Sequence, residues 1–157
     1  MTEARRARIT AEIVARTGID EAMIDRLVRQ FYAKVRGDVL LGPVFAARIV
    51  DWEPHLRRMC EFWSSVVLMS GRYHGNPMVR HVTLDIDATH FDRWLALFEE
   101  TATEICPPAA AEHFAERARR IAESLELGVA LRQGVLLAKG ERFRSARAVP
   151  RKEGASP

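Results

Sequence analysis

Polar side chains stand at three places where the apolar pattern of the chain calls for core. His55, Met59, Phe62 and Val66 are spaced by four, three and four, so an imidazole heads the inward stripe of a helix. An imidazole at a helix start can serve a ligand, or it can simply reach water or a backbone carbonyl. Tyr32 lies beside an inward-facing Phe31, and a buried phenol hydroxyl needs a partner. Trp94 falls within the stripe Phe91, Trp94, Leu95 and Phe98, which reads first as core filling; its indole N–H can only donate. Between the helices of His55 and Trp94 runs Tyr73-His74-Gly75-Asn76-Pro77-Met78-Val79-Arg80-His81-Val82, a loop closing into a short helical turn with a histidine at its end. A histidine on a short rigid segment, facing a gap bordered by tyrosine, histidine and tryptophan, suits a flat planar cofactor. Neutral imidazole is a common metal ligand, and its second nitrogen needs a backbone or carboxylate acceptor to fix the tautomer. Carbonyls left free upstream in a one-turn helix could supply one.

The elements that must position these residues are helical almost throughout. Asp20 is predicted to cap a helix bearing Ile24, Leu27, Val28, Phe31 and Val35 on one face, stopping near Gly37. Leu41-Gly42-Pro43 reads as a turn, with Pro43 opening a short helical piece through Arg48. Asp51 is predicted to cap a long helix running to about Ser70, with Pro54 tolerated in its first turn. After the 71–77 loop and a short turn at 78–82, Asp87 caps a helix carrying Phe91, Trp94, Leu95, Phe98, Ala102 and Ile105. Pro107-Pro108 ends it and starts a last helix striped by Phe114, Ala118, Ile121, Ala122 and Leu125. No stretch sustains the period-two alternation of a strand, and there are no internal repeats. The expected class is all-α. One domain is predicted at 19–131, between an N-terminal extension (1–18) and a basic, disordered C-terminal one (132–157), with Leu136 to Pro157 read as a frayed helix followed by disorder.

Composition bounds the rest. With 157 residues, 48% of them hydrophobic, the chain is long enough to bury a core of its own. No segment approaches the roughly 20 apolar residues of a membrane helix, and Met1-Thr2-Glu3-Ala4-Arg5-Arg6 leads into no apolar signal region. Cys60 and Cys106 are too few for a disulfide scaffold and lack metal-ligand spacing, so they read as inert thiols in a reducing cytoplasm. The net charge of +3 invites a nucleic-acid reading. Its distribution argues otherwise: residues 19–131 carry −4, and the ends carry +2 and +5. A basic face within the fold is therefore not expected, and no nucleic acid or membrane is assigned as partner.

Taken together, the motifs resemble those of the group III truncated haemoglobins, short bacterial globins. The resemblance rests on Phe31-Tyr32-Ala33-Lys34-Val35-Arg36, Leu41-Gly42-Pro43-Val44-Phe45 and Trp52-Glu53-Pro54-His55. It continues through Phe62-Trp63, Tyr73-His74-Gly75-Asn76-Pro77, His81 and His90-Phe91-Asp92-Arg93-Trp94-Leu95, covering about residues 20–128. The glycine-glycine loop motifs of the other truncated-globin groups are absent.

The resemblance implies a two-over-two helical sandwich enclosing haem b. His81 would be the proximal iron ligand, with Tyr32 and Trp94 as distal hydrogen-bond donors. His55 would be the histidine of the distal helix, able to gate access rather than bind ligand. Phe31, Met59 and Trp63 would wall the cavity, and Arg72 and Arg80 could pair with haem propionates. The implied partners are dioxygen, nitric oxide or carbon monoxide, with an external reductase for any redox turnover such as nitric oxide detoxification or peroxide chemistry. His74 and His113 are expected in exposed or solvated roles, and His90 facing solvent or a propionate. Two other readings remain: a haem-based sensor or scavenger acting through a partner, and a haemless helical interaction module.

Overall fold

A computed structural model describes residues 2–81 and 83–144. Among them are seven helices and no strand: α1 (Glu3–Thr17), α2 (Glu21–Gly37), α3 (Leu41–Ala46), α4 (Trp52–Leu68), α5 (Pro77–His81), α6 (Ala88–Ile105) and α7 (Pro108–Arg132). The long helices form the two layers of a two-over-two sandwich. α2 packs on α4, α6 packs on α7 more extensively than any other pair, and α2 crosses α6.

Local chemistry accounts for the boundaries. The Asp20 carboxylate accepts the Met23 N–H at 2.8 Å and starts α2, whose buried face is Met23, Ile24, Leu27, Val28, Phe31, Tyr32 and Val35. α3 begins two residues before Pro43 because Asp38 accepts the N–H groups of Leu40 and Leu41. It lies so close to α2 that a Cβ on Gly42 would stand 2.9 Å from the Arg36 carbonyl oxygen, so this position requires glycine. Asp51 occupies the N-cap of α4 without a side-chain cap bond. α4 ends at Leu68, short of Ser70: Met69 turns left-handed at φ 56°, and the Ser70 hydroxyl pairs with that of Ser64, which donates to Glu21. α6 opens with a capping box in which the Thr89 N–H donates to Asp87 and the Asp87 N–H donates to His90 Nδ1.

The packed body is wider than residues 19–131. The N-terminal extension carries a helix packed on the body, since Ile13 and Thr17 are buried and the Thr10 hydroxyl donates to the Leu68 carbonyl. At the other end α7 stops at Arg132, Gly134 turns at φ 81°, and 135–144 folds back without helix. Phe143 is only 2% exposed there. The expectation of a frayed helix does not apply to this stretch, because a buried phenylalanine and a paired arginine hold it. The expected disorder of 145–157 and the turn position Val82 lie outside the described residues.

Two hydrophobic clusters result. The larger joins α2, α4, α6 and α7 around Phe31, Trp63, Phe98 and Phe114. The smaller gathers Ile86, Phe91, Ala122, Val129, Ala130 and Phe143. Trp94 and Leu95 pack against both.

Candidate functional site

A cleft opens between the two clusters. Its inner chamber is small, about 80 Å³, and almost wholly apolar, bounded by residues of α2, α3, α4, α6 and α7. Its mouth is about 820 Å³, and Tyr32, Met59, Pro77 and His81 border both parts. The mouth volume falls within the roughly 300–1,000 Å³ usual for a cofactor or small-molecule site.

His81 ends the single turn of α5. Its Nδ1 lies 2.6 Å from the Pro77 carbonyl oxygen, which can only accept, so Nδ1 carries the proton and Nε2 keeps its lone pair. Burial lowers the His81 pKa, the Pro77 bond works against that, and Arg80 adds to it; the net shift is downward, favouring neutral imidazole. The short helix thus provides a tautomer-fixed basic nitrogen. Among the described residues no group of three or more His, Cys, Asp or Glu could hold a metal ion. A metal on His81 would therefore draw most of its ligands from something other than such a cluster.

Across the cleft, Tyr32 and His55 stand edge to face, ring centroids 5.1 Å apart. Trp52 meets both rings, at 5.9 Å from Tyr32 and 5.6 Å from His55, and Phe45 lies 5.8 Å from Tyr32. The Nε2 atom of His55 is buried without a hydrogen-bond partner. Burial, then Arg58, His81 and Arg80, lower the His55 pKa to about 4, so its imidazole is neutral at pH 7. Burial drives the Tyr32 phenol upward, and it stays protonated as a donor. A buried nitrogen left unmatched costs free energy unless a ligand or water meets it. This orphaned atom and the lone pair of His81 are donor chemistry that fits a planar metal-bearing group between them.

The other predicted residues fall in two places. Met59, Trp63 and Trp94 line the inner chamber, Trp63 and Trp94 both stacked on Phe98 at 4.7 and 5.5 Å. Arg72 and Arg80 line the mouth, where Arg48 and Arg58 join them against Asp51 and Glu61. Four guanidiniums against two carboxylates suit an anionic edge. Arg72 also approaches Glu21, at 3.5 Å. Phe31 is the exception. It is not on the cavity wall but one layer behind, edge-on to Tyr32, Trp94 and Phe98, because its position on α2 points it between helices.

Sequence reasoning missed Arg58, although it sits three residues after His55 on the same helix face, and Arg48, Leu84 and Ile86, which carry no motif. It also misjudged one histidine. His113, expected in solvent, is 6% exposed with Arg16 3.4 Å from its Nδ1, because α1 covers it. His90 is held in the α6 cap and borders the inner chamber. Cys60 is a thiol, its pKa raised to about 11 by burial first and then by Asp25, which accepts from it at 3.7 Å.

The fold and cleft are those of a globin. The bacterial-like globin family model matches residues 15–126, and the chain belongs to that family. Within it the chain is similar to the group 3 truncated haemoglobin of Campylobacter jejuni, at 32% identity over 113 residues, covering 69% of this chain and 89% of that protein. The crystal structure of the Campylobacter jejuni group III protein superposes with a TM-score of 0.66. A thermostable haemoglobin from Thermobifida fusca shares the fold, with a TM-score of 0.58 at 24% identity, over 68% of this chain and 89% of that one. Haem is the cofactor of the globins as a class. Among the described residues no helix is long and apolar enough to cross a membrane.

Proposed function

We propose that this protein holds haem b through His81 and uses the opposite wall to retain and activate a diatomic ligand. The observation that carries the reading is the pairing across one cleft of a tautomer-fixed His81 with an unpartnered His55 nitrogen and a protonated Tyr32. Haem bound there would supply an iron that takes up dioxygen, nitric oxide or carbon monoxide and, given electrons, redox chemistry. His81 would anchor that iron, and the apolar inner chamber would exclude water from it. Arg72 and Arg80, with Arg48 and Arg58, would receive the propionates at the mouth.

Tyr32 and Trp94 would donate to a ligand that accumulates negative charge. Each such bond is worth about 1.5–3 kcal/mol. Dioxygen draws more charge than carbon monoxide, so the donors favour dioxygen and slow its release. Slow release suits reaction at the site, such as nitric oxide dioxygenation or peroxide chemistry fed by an external reductase in the cytoplasm, better than bulk delivery.

Titration of the purified protein with haemin tests the first part. The expected result is a stoichiometric Soret band that His81→Ala abolishes; a band unchanged by that substitution overturns the assignment. Mixing the ferrous oxygenated protein with nitric oxide tests the second part. Rapid conversion to ferric protein and nitrate is expected, and slow or absent conversion removes the dioxygenase reading.

A further inference from the structure

The stretch 135–144 lies beyond the family match, yet it is built into the His81 side of the cleft. Its Phe143 completes the smaller cluster, and several members of that cluster (Ile86, Phe91, Ala122) also line the inner chamber. The Phe143 carbonyl accepts the Ala88 N–H at 2.8 Å, satisfying a donor that the start of α6 leaves free. Arg144 donates to the Thr89 hydroxyl at 2.8 Å, and Arg142 donates to Asp92 at 2.7 Å. The stretch therefore grips the first turn of α6, which carries His90 and Phe91 into the chamber.

A single buried acid ties it down. The Glu126 side chain is 7% exposed, and its carboxylate takes Arg142 Nε at 3.0 Å, Arg142 Nη2 at 2.8 Å and the Phe143 N–H at 2.9 Å. All three donors belong to the returning chain. Undocking would break all three bonds together, so the contact closes or opens as a unit. His81 itself stands on a one-turn helix that packs on α7 and continues into a short connection, so its setting depends on tertiary contacts rather than on helix propensity.

We propose that residues 135–144 form a strap that positions the His81 wall of the cleft, with Phe143 as its wedge and Glu126–Arg142 as its latch. The proposal rests on the haem reading above. Phe143 and Arg142 are positioning residues: they touch neither the chamber nor the mouth, and they act through α6 and Ile86.

The test compares the full-length protein with Phe143→Ala, Phe143→Leu and Arg142→Ala, with Ile19→Ala as a buried truncation remote from the cleft. Three properties are read: helicity, the rate of haemin transfer to excess apomyoglobin, and the iron–histidine stretching band of the ferrous form. Phe143→Ala is expected to speed haemin transfer about tenfold, a fraction of what a buried phenylalanine truncation can release, and to shift the iron–histidine band. Phe143→Leu should restore both, and Arg142→Ala should move both in the same direction by less. Ile19→Ala should lower thermal stability while leaving the band in place. A folded Phe143→Ala with the wild-type transfer rate and band overturns the strap and leaves haem binding intact. So does an Ile19→Ala protein that reproduces both changes. Should Phe143→Ala fail to fold, Arg142→Ala and Glu126→Gln are judged by the same two readouts. A wild-type protein that takes up no haemin overturns the haem reading and the strap with it.

Discussion

The two walls of the cleft are built by different means. The wall of Tyr32, His55 and Met59 is set on α2 and α4, helices of 17 residues each, whose faces are tied to the larger cluster. The wall of His81 stands on a five-residue helix and is completed by side chains from the 83–87 connection, α6, α7 and the returning 135–144 chain. In the first, helical periodicity does the placing, and one substitution is shared among many contacts. In the second, individual bonds do it: Pro77 to His81, Ala88 to Phe143, Glu126 to Arg142. The short wall should therefore fail abruptly, and the long one by degrees.

The largest contrast is expected at His81. His81→Gly should lose haemin binding outright while retaining helicity, and added imidazole should restore a Soret band. Retention of the wild-type band would place the anchor elsewhere. In the larger cluster that backs the other wall the comparable loss is one of stability. Phe98 is fully buried and meets Phe31, Trp63, Trp94 and Phe114, so Phe98→Ala should lower unfolding free energy by about 3–5 kcal/mol. Urea denaturation measures this, and a change below about 1 kcal/mol would mean the cluster is not the core of the fold.

A subtler difference is kinetic. Tyr32→Phe keeps the ring contacts and removes the hydroxyl, so dioxygen should dissociate roughly 10–100-fold faster while carbon monoxide changes little. Equal acceleration of both ligands would show a steric effect rather than a donor. pH separates the walls again. His55 has its pKa lowered to about 4 from the ordinary 6.5, so the unfolded chain takes up that proton first. Stability associated with neutral His55 is fully present above pH 6.5 and is lost as pH falls through about 4. His55→Leu should flatten the decline of thermal midpoint across that window, and an unchanged slope would assign it to other groups. Smallest of all, Lys34→Ala removes pairs with the exposed Glu100 and Glu104 and should cost less than about 1 kcal/mol.

Much of this was legible in the chain itself. Asp20 and Asp87 announced the starts of α2 and α6, and the apolar stripe from Ile24 to Val35 announced the buried face, because capping and periodicity are local properties. The loop from Tyr73 to Pro77 announced itself through glycine and proline. A Cβ on Gly75 would meet the far end of the Tyr73 side chain, which would have to swing aside. Residues that depend on distant chain were not legible. His113 looked solvated until α1 covered it, and Phe31 looked like cavity wall until Trp94 and Phe98 took the place in front.

The sequence by itself therefore determined the helices, their inward faces and the few polar side chains that break those faces, since each follows from contacts within a turn or two. Only the tertiary structure decided which of those faces meet, which nitrogen of His55 is left without a partner, and that the basic C-terminal stretch returns to the fold through Glu126 and Phe143. That last contact joins residues 16 and 17 apart across a helix end, and burial rather than local propensity stabilises it.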